Sequence, residues 1–223
     1  MTARAEDAEG IDRTLYRSDA LESAIVDLLG GDGYRVYDDS PRIAASFAAC
    51  SVSLEHAQAL RTLIREGLPT SGVSLMRLQH EALTRAVWLL YAASDEAVTK
   101  LVTPLTPAAE KVANKLPMLA EMLGAIAGKA PPAATQMLVQ FKDVHAPALN
   151  SFVHGGIHPL QRHAEGYPVP LLIQVVESSN GLLTGTGMLL AILSGIAVVA
   201  KQMAAIQPAF VDCLPELLTA PAG

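Results

Sequence analysis

The stretch SPRIAASFAACSVSLEHAQALRTLIREG, residues 40–67, decides the fold class. Ser40 followed by Pro41 is typical of a helix N-cap with proline at the first helical position, and Gly67 followed by Pro69 is typical of a helix end. The pattern between these signals is helical, although a break near Cys50 is an open alternative. The stretch therefore predicts a long helix that ends at about Glu66.

The same signals recur on both sides of this stretch. Asp19 and Glu22 form a capping-box-like pair before a predicted helix from Ala20 to Leu29, and Gly30-Gly31 follows it. Further helices are predicted at residues 71–93, 95–102, 107–126 with a bend at Pro117, 132–154, and from the Pro168/Pro170 loop to about Gln202. No stretch alternates convincingly as a half-buried strand, although residues 169–176 are ambiguous. We therefore predict an all-α, up-down bundle of five to seven helices.

Length and composition indicate one globular domain. The chain has 223 residues, of which 51% are hydrophobic and only 4% aromatic, so the core must be built from Leu, Ala, Val, Ile and Met. We place the bundle at residues 18–204. A mobile polar segment, 1–17, is expected before it, and a proline-broken tail, 205–223, after it.

Charge and cysteine content argue against several classes of protein, although they do not exclude a local basic groove. The net charge of −6 argues against a basic nucleic-acid groove as the main feature. Cys50 and Cys213 are far apart and form no Cys-x-x-Cys pattern, so neither a disulfide framework nor a thiolate metal site is indicated. Residues 1–17 contain no apolar run typical of a signal peptide. A cytoplasmic protein without a metal or another cofactor is expected.

Residues 182–200 form a run of nineteen uncharged residues. A helix of this length could cross a bilayer. Glycine, threonine and serine dilute the hydrophobicity of this segment, so a buried bundle helix is the favoured interpretation. Gly187, Ala191 and Gly195 recur every fourth residue and form a stripe of small residues. That stripe suits either a core helix or a dimer seam.

The run Asn150-Ser151-Phe152-Val153-His154-Gly155-Gly156 is the strongest candidate for a site. The helix before it places apolar residues on one side: Phe141, Val144, Ala148, Leu149 and Phe152. The opposite side carries Gln136, Asp143, Asn150 and His154. Pro147 should kink or restart this helix. The run is either a solvated helix end with Gly155 in the left-handed conformation or a functional or dimer-facing site.

The predicted helix at 71–93 offers a partner for this run. One arc carries Arg77, His80, Glu81, Thr84, Trp88 and Tyr91, whereas Leu75, Leu78, Ala82, Ala86, Leu89 and Leu90 lie on the other. Arg77 and Glu81 have the i, i+4 spacing of an ion pair, and Trp88 beside them suggests a pocket wall or an interface. The alternative is an ordinary ion pair with Trp88 at the edge of the core.

A metal site is not expected among the histidines at 145, 154, 158 and 163. His154 and His158 have helical spacing, but Gly155, Gly156 and Pro159 interrupt the helix that a metal-binding face requires.

The pattern Arg77-x-x-x-Glu81 before an apolar-aromatic run, with a later helix that ends in polar-Ser-x-x-His154-Gly, resembles the HEPN-like superfamily of bacterial helical-bundle proteins. The resemblance covers roughly residues 40–202 and implies a helical bundle. Catalytic members of that superfamily are metal-independent ribonucleases, often toxins or phage-defence effectors, that dimerise to join two Arg-x4-6-His motifs. Only His154 matches that motif here, because no arginine or lysine lies between Lys142 and His154. The resemblance therefore implies the fold more than the activity.

Three functional hypotheses follow. The first is a homodimeric binding module whose polar groove, formed with His80, Thr84, Trp88, Tyr91 and Asp143, holds a partner, RNA or a nucleotide-like ligand. The second is a divergent ribonuclease in which His154 acts as general acid or base, with Asn150, Ser151 and the Arg77/Glu81 helix as candidate assistants. The third is a membrane protein with a single span at 182–200.

Overall fold

The computed structural model describes residues 2–30, 33–104, 106–107 and 116–216, with side chains from residue 9 onward. Within these residues the chain forms no β-strand and nine α-helices: α1 (Thr2–Leu29), α2 (Pro41–Arg65), α3 (Pro69–Tyr91), α4 (Asp95–Val102), α5 (Leu119–Ile126), α6 (Pro132–Val153), α7 (Ile157–Glu165), α8 (Val169–Leu193) and α9 (Ala197–Ile206). A short 3₁₀ segment, Gln207–Cys213, follows α9. The all-α prediction is confirmed, and the helix number exceeds five to seven because short helices separate the long ones.

Helices α2 and α3 form an antiparallel hairpin. Ser46 donates a hydrogen bond to the carbonyl of Ala86, and Ser53 donates one to the carbonyl of Gln79. Later residues of α2 therefore contact earlier residues of α3. Ser40 caps α2 as predicted, because its hydroxyl accepts the Ile43 N–H. The possible break near Cys50 does not occur, since α2 runs unbroken from Pro41 to Arg65.

Helix α1 corrects three predictions. It begins at Thr2 rather than Ala20, and Leu15 within it is buried, so the residues between 9 and 17 are part of the packed bundle and not a mobile lead-in. Asp19 and Glu22 do not cap a helix. Their carboxylates instead bind the guanidinium of Arg61 on α2, which is only 1% exposed. The two carboxylates that local spacing assigned to a helix cap therefore bind Arg61 of another helix.

Helix α8 is the central helix of the core. It packs against α1, α2, α3 and α9, and its residues are buried on several sides, which is typical of a helix inside a bundle. The ambiguous segment 169–176 is therefore helical. A Cβ at Gly187 would lie 2.9 Å from Ile25 of α1 and 3.1 Å from Met203 of α9, so this part of the small-residue stripe packs within the chain.

The predicted helix to Gln202 is divided. Helix α8 ends at Leu193, Gly195 adopts a φ of +70°, and α9 starts at Ala197. The ring of Tyr37 occupies the space that a side chain at Gly195 would need. Among the described helices, none has both the length and the apolar character that crossing a bilayer requires.

The segment after α9 is folded against α1 and is not a loose tail. Phe210 and Cys213 are buried, and Asp212 pairs with Arg17. Prolines do end the α-helical geometry here, as the sequence indicates, but the chain continues as a packed 3₁₀ segment. Residues 217–223 of the predicted tail, and residue 105 and residues 108–115 near the predicted helix at 107–126, lie outside the described residues.

Candidate functional site

The Asn150–Gly156 run ends one helix and starts the next. Gly155 has a φ of +65°, the left-handed conformation predicted for a helix end. Gly156 passes so close to Ser151 that a Cβ there would lie 2.5 Å from the Ser151 hydroxyl. That hydroxyl accepts the backbone N–H of His158, 3.1 Å away, in the first turn of α7. Ser151 therefore has a structural role as a cap.

The polar stripe of α6 faces solvent. Asp143, Asn150 and His154 are exposed, as the pattern predicts. Among the described residues, the side chains of Asn150 and His154 make no hydrogen bond, ion pair or ring contact, and Asp143 lies 3.5 Å from its neighbour Lys142. The stripe thus brings no catalytic partners to His154.

The arc of α3 that carries His80, Thr84 and Trp88 faces the core. His80, Thr84 and Trp88 are 2%, 0% and 5% exposed, whereas Leu78 on the other arc is 36% exposed. Tyr91 is half-buried. These three side chains therefore do not line an open pocket, and of the two interpretations of Trp88 the structure favours the one in which its ring packs at the core, because burying this large ring outweighs the polar character of its neighbours.

The ion pair on α3 forms as predicted. Nε and Nη2 of Arg77 donate to Oε1 of Glu81 at 2.9 and 2.6 Å. Arg77 donates both of these hydrogen bonds to Glu81. Within the described chain it forms no hydrogen bond with Asn150, Ser151 or His154. The two candidate catalytic groups are therefore not joined.

A cavity of about 690 Å³ lies on a different side of α6. Its walls come from α6, from α8 and from residues 211–216 after α9. The lining combines apolar side chains with an amide and ionisable groups: Phe141, Val144, His145, Gln174, Glu177 and Glu216. Val144, expected in the core, is 54% exposed and lines this cavity.

A column of three rings runs from the core to this cavity. The ring centroids of His80 and Phe141 are 4.6 Å apart, and those of Phe141 and His145 are also 4.6 Å apart. Nε2 of His80 lies 3.0 Å from the Leu138 carbonyl, which can only accept, so this nitrogen carries the proton.

The two imidazoles of the column favour the neutral form. Burial lowers the pKa of His80 to about 4, despite the hydrogen bond to Leu138, and the nearby charges of Arg77 and Lys142 act in the same direction as burial. Burial also lowers the pKa of His145. The column is therefore an aromatic, hydrogen-bonding surface with little positive charge.

Two carboxylates give the cavity its charge. Glu177 projects from α8 and Glu216 from the C-terminal wall. The pKa of Glu177 is raised, first by burial and then by the negative charge of Glu216. Neither carboxylate forms an ion pair or accepts a hydrogen bond from a described residue. The cavity thus has a negative side whose charge no described residue of its wall neutralises.

The C-terminal wall is held by α1 and α8. Arg17 donates to both carboxylate oxygens of Asp212, at 2.9 and 3.0 Å, and its guanidinium lies 4.5 Å from the centre of the Phe210 ring. The Asn180 amide donates to the Cys213 carbonyl at 2.8 Å. These contacts hold the backbone segment that carries Val211 and Glu216 against α1 and α8.

Sequence reasoning names His80, which forms the buried end of the ring column, and assigns none of the residues that line the cavity to a pocket. The sequence presents His145 only as a possible metal ligand, assigns Phe141 to the core, and gives neither glutamate a role. One local signal is present: Met137, Gln140, Phe141, Val144 and His145 share a helical face that mixes apolar and polar side chains. Within the described chain, no three His, Cys, Asp or Glu side chains are grouped in a way that could hold a metal ion.

The fold and this cavity define an all-α protein with a small-ligand-sized pocket at the side of its bundle. The chain belongs to DUF6988, a family of unknown function, whose model matches residues 50–216. The match contains every wall of the cavity but not α1, which carries Arg17. No curated protein and no solved structure matches the chain. The resemblance to the HEPN-like superfamily stays a prediction.

Proposed function

We propose that this protein is a binding module that holds a small molecule in the cavity between α6, α8 and residues 211–216. The observation that carries the proposal is the cavity volume of about 690 Å³. Small-molecule sites in proteins occupy about 300–1,000 Å³ and combine apolar walls with a few polar groups. The Phe141 and His145 rings supply the apolar wall, and Gln174 and Glu177 supply polar groups.

Binding is favoured over catalysis by the arrangement of the polar groups. The His145 ring packs against Phe141 in a tilted arrangement, and its imidazole forms no hydrogen bond with Glu177 or Ser178 among the described residues. A general acid or base needs a partner or substrate proton within hydrogen-bond reach, and the neighbours of His145 do not form such a relay.

A divergent ribonuclease centred on His154 is the alternative proposal. It is supported less, because Arg77 is engaged by Glu81 and because no described side chain forms a hydrogen bond or an ion pair with His154. The homodimer expected from the sequence also stays a prediction, which analytical ultracentrifugation of the purified protein would check.

The proposal is tested by narrowing the cavity mouth. Val144→Trp places an indole where a 54% exposed valine lines the cavity, and Val198→Trp is the matched control at a 57% exposed valine on α9 that does not line it. Melting temperatures of the wild-type protein and both variants are measured against a panel of amines, nucleosides, carboxylic acids and neutral aromatic compounds.

A compound at one hundred times its Kd should stabilise the fold by about 2.7 kcal/mol, which raises Tm by roughly 5–11 °C for a chain of this size. We expect at least one compound to give this shift with the wild-type protein and Val198→Trp but not with Val144→Trp. Equal shifts in both variants, or no shift from any compound class, would contradict the proposed site.

A further inference from the structure

We infer that the ligand of this cavity is an organic cation: an amine joined to a flat apolar group, with the nitrogen between Glu177 and Glu216 and the flat group against Phe141. The inference rests on the proposed function and adds the chemical class of the ligand.

The charge of the ligand follows from the cavity wall. Glu177 and Glu216 come from different segments and line the same space, and no described lysine or arginine lines it with them. Two carboxylates that line one space repel each other, and a positive charge between them removes that repulsion. Burial is the larger cause of the raised pKa of Glu177, and the negative charge of Glu216 raises it further. Since the described residues of the wall supply no cation, the ligand is the natural source of one.

An organic cation fits this space better than a metal ion. Calcium takes about six to eight oxygen ligands, and magnesium needs near-octahedral oxygen coordination. The described residues offer no grouping of three or more metal-binding side chains, and the surfaces next to Glu177 and Glu216 include Leu182, Leu214 and Pro215. An amine needs only one or two acceptors and can carry an apolar body that covers these surfaces.

The shape of the ligand follows from the ring column. Phe141 lies at stacking distance from two imidazoles that favour the neutral form, so the column presents an aromatic surface without a strong positive charge. Aromatic groups pack on such surfaces with offset or tilted geometry. Val144 and Val211 are 54% and 71% exposed at the cavity, which is apolar area that a ligand body would cover.

Three probes with the same indole body separate charge from shape: tryptamine is a cation, tryptophol is neutral and indole-3-propionate is an anion. Binding of each is measured by isothermal titration calorimetry to the wild-type protein, Glu177→Gln, Glu216→Gln and the control Glu165→Gln. Glu165 ends α7 and does not line the cavity.

We expect tryptamine to bind the wild-type protein at least about tenfold more tightly than tryptophol, and indole-3-propionate to bind most weakly. Glu177→Gln and Glu216→Gln should each weaken tryptamine by about tenfold and leave tryptophol unchanged. Glu165→Gln should change neither affinity. This pattern would support the inference.

The inference is overturned if tryptophol or indole-3-propionate binds as tightly as tryptamine, if Glu165→Gln weakens tryptamine as much as Glu177→Gln, or if none of the three probes binds. None of these results by itself removes the binding module. The broader proposal fails only if the panel contains no compound whose binding Val144→Trp blocks and Val198→Trp leaves intact.

Discussion

Two groups of polar side chains on and next to α6 both include a histidine, but they lie in different surroundings. At the cavity, the tilted ring of His145 packs against a half-buried Phe141. At the C-terminal end of the helix, Asn150 and the C-cap residue His154 are exposed and lack side-chain partners among the described residues. Water satisfies exposed polar groups at little cost, whereas partial burial changes their pKa and leaves them available to a ligand. Surroundings, more than residue type, distinguish the cavity side of α6 from its C-terminal end.

The largest expected effect is on the pH dependence of stability, and it comes from His80 at the buried end of the ring column. The pKa of His80 falls from 6.5 to about 4 on folding, because the charged form is buried. Above pH 6.5 the lowered pKa does not change the free energy of unfolding, since the imidazole is neutral in both the folded and the unfolded state. Between pH 6.5 and 4 the unfolded chain takes up the proton first, so the free energy of unfolding should fall by roughly 3 kcal/mol.

The measurement is urea unfolding from pH 7.5 to 4 for the wild-type protein, His80→Gln and His154→Gln. The glutamine at 80 keeps a donor for the Leu138 carbonyl but does not titrate. We expect a flatter profile for His80→Gln and an unchanged profile for His154→Gln. Parallel profiles for the wild-type protein and His80→Gln would show that His80 is not buried as described.

The next effect concerns the turn that follows the C-terminal end of α6. Gly156→Ala places a Cβ 2.5 Å from the Ser151 hydroxyl and 3.2 Å from its Cα. The hydroxyl would have to leave the His158 N–H, so we expect a loss of about 1–2 kcal/mol in the free energy of unfolding without a change in ligand binding.

Gly124→Ala is the matched control for this change. Gly124 lies inside α5, and nothing lies within 4 Å of the position that an alanine Cβ would take, so alanine should stabilise the protein by roughly 0.5–1 kcal/mol. Chemical denaturation measures both variants. A neutral Gly156→Ala would mean that the turn is looser than its hydrogen bond indicates.

Two variants with smaller effects on stability separate the cavity side of α6 from its C-terminal end by their effects on ligand binding. Phe141→Leu removes a ring 4.6 Å from both His80 and His145, and Phe152→Leu removes a ring 6.4 Å from His158. Each should cost about 1 kcal/mol of stability, since a ring pair contributes about that much beyond apolar burial.

Only Phe141→Leu should weaken the compound that stabilises the wild-type protein, because Phe152 does not line the cavity. Calorimetric titration of both variants with that compound provides the measurement. If Phe152→Leu weakened binding equally, the ligand would lie at the turn and not at the cavity.

The smallest effect is expected at His154 itself. The side chain of His154 is exposed, so His154→Ala should change the free energy of unfolding by less than about 0.5 kcal/mol. RNA cleavage by the wild-type protein and by this variant should be equal and at background. Cleavage that His154→Ala abolishes would favour the ribonuclease over the binding module.

Helix ends were predictable because their signals are local. Ser40 and Ser94 cap α2 and α4, and Gly30, Gly67 and Gly155 have positive φ where the sequence predicts a helix to end. A hydroxyl or carboxylate within three residues of a helix start, or a glycine just after its end, acts on the backbone next to it. No knowledge of the rest of the fold is needed for such predictions.

Predictions failed where a distant partner decides the role of a residue. The spacing of Asp19 and Glu22 suits a cap, but Arg61 binds both across the bundle. Helical periodicity places Trp88 on a polar arc of α3, although that arc faces α6 and the core. The cavity brings together Phe141, Glu177 and Glu216 from three segments, and no single-sequence pattern indicates that these segments meet.

The Arg17 contacts with Asp212 join positions separated by 195 residues. Such a contact closes only after most of the chain has been made, whereas the α2–α3 hairpin needs only neighbouring segments. During synthesis the cavity would therefore lack its last wall until residues 211–216 have emerged and reached α1. The capacity to hold a ligand would then appear as one of the final events of folding, after the helices that carry most of the binding residues are already in place.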